Sequence, residues 1–168
     1  LSKHRFKKYP NIIRDFIPTA PNQLWVSDIT YIHLQDSFAY LSLITDAYSR
    51  KIVGFCLSRD LSAQGPLTAL QMALVSNPER KGLIHHSDRG VQYCCDGYVK
   101  LLQDKNIKIS MTENGDPLEN AIAERVNGIL KQEFLEEVFP DYEKAQKAIA
   151  LACSTYNHLR PHGSIDNL

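Results

Sequence analysis

Apolar and polar positions divide the chain into two halves with different periods. Residues 24–34, 38–45 and 51–57 are three runs rich in β-branched and aromatic side chains, which predicts three successive strands. Gln35-Asp36-Ser37 and Asp46-Ala47-Tyr48-Ser49-Arg50 are polar linkers of turn composition, so these strands should pair as an antiparallel meander. A helical stretch follows at 62–75, with Leu67, Leu70, Met72, Leu74 and Val75 as its apolar content and Asn77-Pro78 as its stop. The chain then alternates: a short strand at 83–86, a helix at 96–105 and a short strand at 107–111. Two long helices are predicted at 118–138 and 142–158, divided by Phe139-Pro140-Asp141. Three strands followed by αβαβαα predict an α/β domain, a mixed sheet with helices packed on it. Residues 1–20 read as a basic arm or linker, leaving 21–168 as the folded domain.

Bulk composition narrows this modestly. At 168 residues with 43% hydrophobic and 23% charged content, the chain is one ordinary globular domain with a core of its own. No apolar run approaches the roughly 20 residues that span a bilayer, so no membrane partner is expected. Four cysteines, two of them the adjacent Cys94 and Cys95, form no disulfide framework, and no secretory signal is visible. A reducing cytoplasm is the expected compartment. The chain opens on Leu1, as a fragment or processed product would.

A formal net charge of zero conceals an asymmetry. Lys3, Arg5, Lys7, Lys8 and Arg14 face only Asp15 within the first 20 residues, so a basic arm precedes an acidic body. Such an arm suits contact with phosphate, as it also suits simple solvation.

The candidate chemistry lies in three acids. Asp28 interrupts the first strand, where an unpaired charge is expensive. Asp88 follows an apolar run and precedes Gly90, at a strand's carboxyl end where open α/β sheets place ligand sites. Glu124 falls near the start of a long helix, with Glu113 and Glu119 as nearby competitors. Three converging carboxylates would repel one another unless a cation sat between them. Hard divalent ions with oxygen ligands, Mg²⁺ or Mn²⁺, meet that need.

Four phrases carry a family resemblance. They are Trp25-Val26-Ser27-Asp28-Ile29-Thr30-Tyr31, His86-Ser87-Asp88-Arg89-Gly90-Val91-Gln92-Tyr93, Glu119-Asn120-Ala121-Ile122-Ala123-Glu124 and the tail Tyr156-Asn157-His158-Leu159-Arg160-Pro161-His162-Gly163-Ser164. In this order, with 35 residues between Asp88 and Glu124, they resemble the retroviral-integrase-like catalytic cores of bacterial insertion-sequence transposases of the DDE type. The resemblance implies a ribonuclease H-like fold with a mixed five-stranded sheet flanked by helices. It also implies metal-dependent DNA strand cleavage and strand transfer, with Asp28, Asp88 and Glu124 as catalytic residues and ligands of two Mg²⁺ ions.

Lys131 lies two helical turns beyond Glu124, where a basic residue of this family contacts DNA near the reacting end. Arg125, one position off that face, is a further candidate DNA contact, as are Lys3, Arg5, Lys7 and Lys8 of the arm. Asn120 could orient Glu124 or cap the helix, capping being the better-supported role, and His86 is either a satisfied strand histidine or a neighbour of the site. Asp46 suits the turn it borders. The resemblance further implies DNA partners (mobile-element ends and target DNA), a homo-oligomer, and action at the bacterial nucleoid. No helix-turn-helix precedes Pro21, so the recognition domain should be missing or on another chain. Rival readings are a structure-specific or hybrid nuclease on the same fold, and a non-catalytic DNA-binding remnant of a mobile element.

Overall fold

The computed structural model describes residues 4–114 and 117–160. Its strands are β1 (Leu24–His33), β2 (Phe38–Asp46), β3 (Ile52–Ser58), β4 (Ile84–Ser87) and β5 (Lys108–Met111). Its α-helices are α1 (Gln64–Ser76), α2 (Val91–Cys94), α3 (Asp96–Asp104), α4 (Ala121–Ile129) and α5 (Tyr142–Leu159).

The strands form one sheet in the order β3-β2-β1-β4-β5. The predicted meander is present: β1 and β2 pair antiparallel from Trp25↔Asp46 to His33↔Phe38, and β2 pairs antiparallel with β3. Asp46 serves the second turn, its two carboxylate oxygens accepting from Asn22 N and Ser49 N at 2.8 Å each. β4 and β5 then add in parallel, each through a helical crossover.

Both sheet faces are covered. On one, Trp25, Ile44 and Val53 pack against Leu70 and Leu74 of α1 and Tyr98 and Leu102 of α3. The helix lies so close that a Cβ on Gly54 would stand 2.2 Å from the Ala69 carbonyl oxygen. On the other, Leu41, Leu43 and Leu57 meet Val126 and Leu130 together with Ile149 and Tyr156 of α5. α5 begins at Asp141, whose carboxylate accepts from Lys144 N at 2.9 Å. It is fastened to β3 by the Asn157 amide, which accepts from Ile52 N at 2.8 Å and donates to Ile52 O at 2.9 Å. Tyr156 and Asn157, the first residues of the tail phrase, are therefore clamps holding the last helix to the sheet. Arg160 is the last described residue, so Pro161 and His162 lie outside the described residues.

Two elements depart from expectation. The short helix α2 was not predicted, and the helix expected at 118–138 is broken into parts. A 3-10 turn at Pro117–Asn120 leads into α4, which ends at Ile129, and a π turn, Leu130–Phe134, completes the element before Leu135 turns extended. Phe139 is drawn to the end of β1, its N donating to His33 O and its O accepting from Gln35 N, both at 2.9 Å. A helix continuing to Val138 could not make that bridge, and Glu136-Glu137 would face the negative end of its dipole.

Candidate active site

The sheet register places the first two acids. β1 and β4 run parallel with Leu24↔Ile84, Trp25↔His85 and Val26↔His86. Two residues further along that register, Asp88 comes abreast of Asp28, and the two-residue step puts both on the same face as the Val26–His86 pair. β4 ends at Ser87, so Asp28 lies beside the point where the parallel neighbour becomes loop. α4 packs on that face of β1 and brings the third acid, in its first turn.

The three environments differ. Asp28 is half-buried, while Asp88 and Glu124 are exposed. Asp28 Oδ2 accepts from Asn127 Nδ2 at 2.7 Å. Its carboxyl is pushed up from 3.8 to about 6, chiefly by burial, with the charges of Asp88 and Glu124 adding to the rise. Hydrogen bonds from the Ile29 backbone and Asn127 oppose that rise without cancelling it. Asp88 Oδ1 accepts from Gly90 N at 2.7 Å, and a Cβ on Gly90 would stand 3.0 Å from that oxygen, so the loop folds tightly over its own carboxylate.

Beneath Asp28 lies a buried polar layer. Ser27 Oγ and the Tyr98 hydroxyl lie 2.7 and 2.8 Å from Nε2 of the fully buried His85. Burial holds that imidazole neutral, its pKa lowered to about 3. His86 is also a satisfied strand residue, with Nδ1 2.8 Å from Ser110 Oγ and Nε2 2.8 Å from Glu119 O, and burial lowers its pKa too.

Asn120 occupies the N-cap position without capping. Its side chain makes no cap hydrogen bond and instead donates from Nδ2 to Ser27 O at 3.0 Å, tying the start of α4 to β1 one residue before Asp28. The expected capping role is thereby replaced by a cross-element tie. Sequence reasoning missed Asn127, a buried amide three positions after Glu124; a polar residue at i+3 on an otherwise apolar helix face was the available signal.

The candidate cations are placed variously. Lys131 sits in the π turn, and its Nζ donates to Tyr31 O at 3.0 Å and Thr30 Oγ1 at 3.3 Å, so it is bound to β1 two to three residues from Asp28. Arg125 is exposed on α4 and Arg5 on the arm. Lys7 lies over the Tyr9 ring at 4.6 Å, and Lys8 donates to His4 O at 3.0 Å. Lys3 lies outside the described residues.

The donor set suits a hard divalent cation. Three carboxylates are near enough for two of them to raise the pKa of the third, and an interposed cation would relieve that repulsion. Among the described residues, no three His, Cys, Asp or Glu side chains are arranged so that together they could hold an ion. No helix among them is long and apolar enough to cross a membrane.

The strand order and the parallel β1–β4 register define a ribonuclease H-like fold. Two family models, both described as integrase core domain, match residues 18–117 and 105–168, and the chain belongs to this family. It is 37% identical over 99% of its length to the uncharacterized 31 kDa protein of insertion element IS600 of Shigella sonnei, spanning 62% of that protein. It is 38% identical over 71% of its length to transposase InsF of insertion sequence IS3A of Escherichia coli, spanning 42% of that protein. Both relatives are thus substantially longer than this chain. Among solved structures, the magnesium complex of the HTLV-2 integrase catalytic core domain in its dimeric form aligns with a TM-score of 0.66 at 19% identity, over 84% of this chain and 90% of that one.

Proposed function

We propose that this domain is the catalytic core of an insertion-sequence transposase, which cleaves DNA at element ends and transfers the freed strand to target DNA. The observation that carries the reading is the sheet register that brings Asp88 abreast of the half-buried Asp28, with α4 carrying Glu124 packed on β1, in a chain of the integrase core family. A relative named as a transposase favours transposition over a nuclease of the same fold.

Asp28, Asp88 and Glu124 would hold two Mg²⁺ ions, or Mn²⁺ in their place. When bound, such ions activate the attacking oxygen and offset the charge that builds on the leaving oxygen of an in-line displacement at phosphorus. Asp28 is the fixed point: Asn127 holds one of its oxygens and orients the other. Asn120 secures the start of α4 against β1, so that Glu124 enters at a set height along the strand. Asp88, on its Gly90 turn, supplies the carboxylate abreast of Asp28. Lys131 and Arg125 would meet DNA phosphates, as would the basic arm of residues 1–20, which precedes the folded domain 21–168. A homo-oligomer synapsing two element ends, a recognition region supplied by further chain or another polypeptide, and a bacterial cytoplasmic setting complete the proposal.

A Mn²⁺-dependent joining and disjoining assay on a branched DNA oligonucleotide tests the reading, because that substrate requires phosphoryl transfer without end recognition. Activity in the parent that disappears in Glu124→Gln is the expected result. Equal activity in both would remove Glu124 from the site.

A further inference from the structure

The loops that carry Asp88 and lead to Glu124 are both tied to a third stretch of chain. Residues 4–14 run along β5, the edge strand, with Met111 N donating to Pro10 O at 3.2 Å. Towards Asp88, Arg89 Nη2 donates to Tyr9 O at 3.1 Å and His4 Nε2 lies 2.8 Å from Arg89 O. Towards Glu124, Asn11 Nδ2 donates to Glu119 Oε1 at 2.9 Å, and Arg14 pairs with Glu113 at 2.6 Å.

Glu119 is where these ties meet. Its carboxylate, 9% exposed, also accepts from Glu113 N and Asn114 N at 3.1 Å each, so its oxygens are engaged in organising the turn that opens the α4 element. Its backbone oxygen accepts from His86, two residues before Asp88. A carbonyl can only accept, so His86 carries its proton on Nε2. Nδ1 then accepts from the Ser110 hydroxyl, and Ser110 Oγ in turn accepts from Ile12 N at 3.0 Å. Every donor in this chain has one acceptor, and it links the arm, β5, β4 and the turn before α4.

We propose that Glu119, held by Asn11, is a positioning residue that fixes the separation between the Asp88 strand end and the Glu124 helix. This rests on the metal site proposed above. Glu119 acts through the backbone of its turn and not as a cation ligand, and the arm contributes to catalysis by geometry as well as by charge.

The test uses Asn11→Ala, Glu119→Ala and Glu119→Gln in the 168-residue chain, with Glu124→Gln alongside. Mn²⁺ affinity is read by calorimetry, and kcat and KM for the branched DNA by the joining assay. Both alanine variants should weaken Mn²⁺ binding about tenfold, the scale of an outer-shell change, and lower kcat while KM for DNA is unchanged. Glu119→Gln, which keeps an acceptor for Asn11, should recover much of the loss. The Asn11→Ala/Glu119→Ala double variant should be little worse than Glu119→Ala alone, because Glu119→Ala already removes the Asn11 tie. Mn²⁺ binding lost in Glu119→Ala but parent-like in Asn11→Ala would make Glu119 a ligand and overturn the proposal. If Glu119→Ala does not fold, Asn11→Ala decides alone, and parent-like affinity and kcat there would overturn it. In either case, binding lost in Glu124→Gln would leave the metal site itself standing. A parent that neither binds Mn²⁺ nor joins DNA would overturn both readings.

Discussion

The middle of β1 and the first turn of α4 carry their carboxylates in opposite surroundings. Asp28 is half-buried on a central strand, with an oxygen held by a buried amide and a pKa raised to about 6. Glu124 stands exposed on a nine-residue helix that begins in a 3-10 turn and ends in a π turn. Asp88 is closer to Glu124 in kind: exposed, on a loop, folded over a glycine. The contrast shows how the site divides its work. On the proposed reading, the strand residue would fix the position and bear the electrostatic cost, and the exposed pair would supply the remaining ligands.

Substitutions at the three acids would break this comparison most severely if they behaved differently in catalysis. Asp28→Asn and Glu124→Gln should each lower Mn²⁺-dependent joining by more than about 100-fold, exceeding the range typical of residues behind the ligands. Initial rates on the branched substrate measure this.

Stability should separate them instead. A carboxyl raised from 3.8 to about 6 is destabilised in its charged form by about 3 kcal/mol. The folded state binds the Asp28 proton more tightly than the unfolded state, so this group favours folding at low pH and loses that contribution as pH rises through about 6. Asp28→Asn should therefore melt higher than the parent in metal-free buffer at pH 7.5, and the gain should vanish by about pH 4. Glu124→Gln should change the melting temperature far less, because Glu124 is exposed. His85 acts oppositely in an overlapping window: its neutral form is favoured, so its contribution is lost as pH falls below 6.5 towards about 3. Only the difference between parent and variant isolates Asp28.

Asn120→Asp would sharpen the comparison at the boundary between the two elements. Asp is a good helix cap, yet it cannot donate to Ser27 O and adds charge beside Asp28. Denaturant unfolding should show a loss of about 1 kcal/mol, where a capping role would show none. The smallest effect is expected at exposed Arg125: Arg125→Ala should leave stability within about 0.5 kcal/mol and, if the side chain meets a phosphate, reduce the salt slope of DNA binding by about one.

The same contrast explains what the sequence disclosed. Asp28 stood out because a charge inside an apolar strand has few bland explanations, and the meander was legible from period and turn chemistry. Glu124 was not separable from Glu113 and Glu119 by local physics, and only its phrase and spacing singled it out. Its neighbourhood departs from expectation: the helical element stops at Phe134, so that Phe139 can reach β1, a long-range constraint that helical periodicity does not encode. Asn120 was expected to cap because N-cap preference is local, whereas its partner, Ser27 O, is 93 residues away. The arm reads as a basic lead-in suited to phosphate contact or to solvation, and its hydrogen bonds to Arg89, Ser110 and Glu119 appear only once β4 and β5 lie side by side.

The central claim is that Asp28, Asp88 and Glu124 share one cation site. A pH titration of the Asp28 carboxyl carbon by NMR, with and without saturating Mg²⁺, tests it most directly. The account predicts a midpoint near 6 without metal, falling below 4 when Mg²⁺ is present, and no such fall in Glu124→Gln. A midpoint near 4 that Mg²⁺ does not move would contradict it.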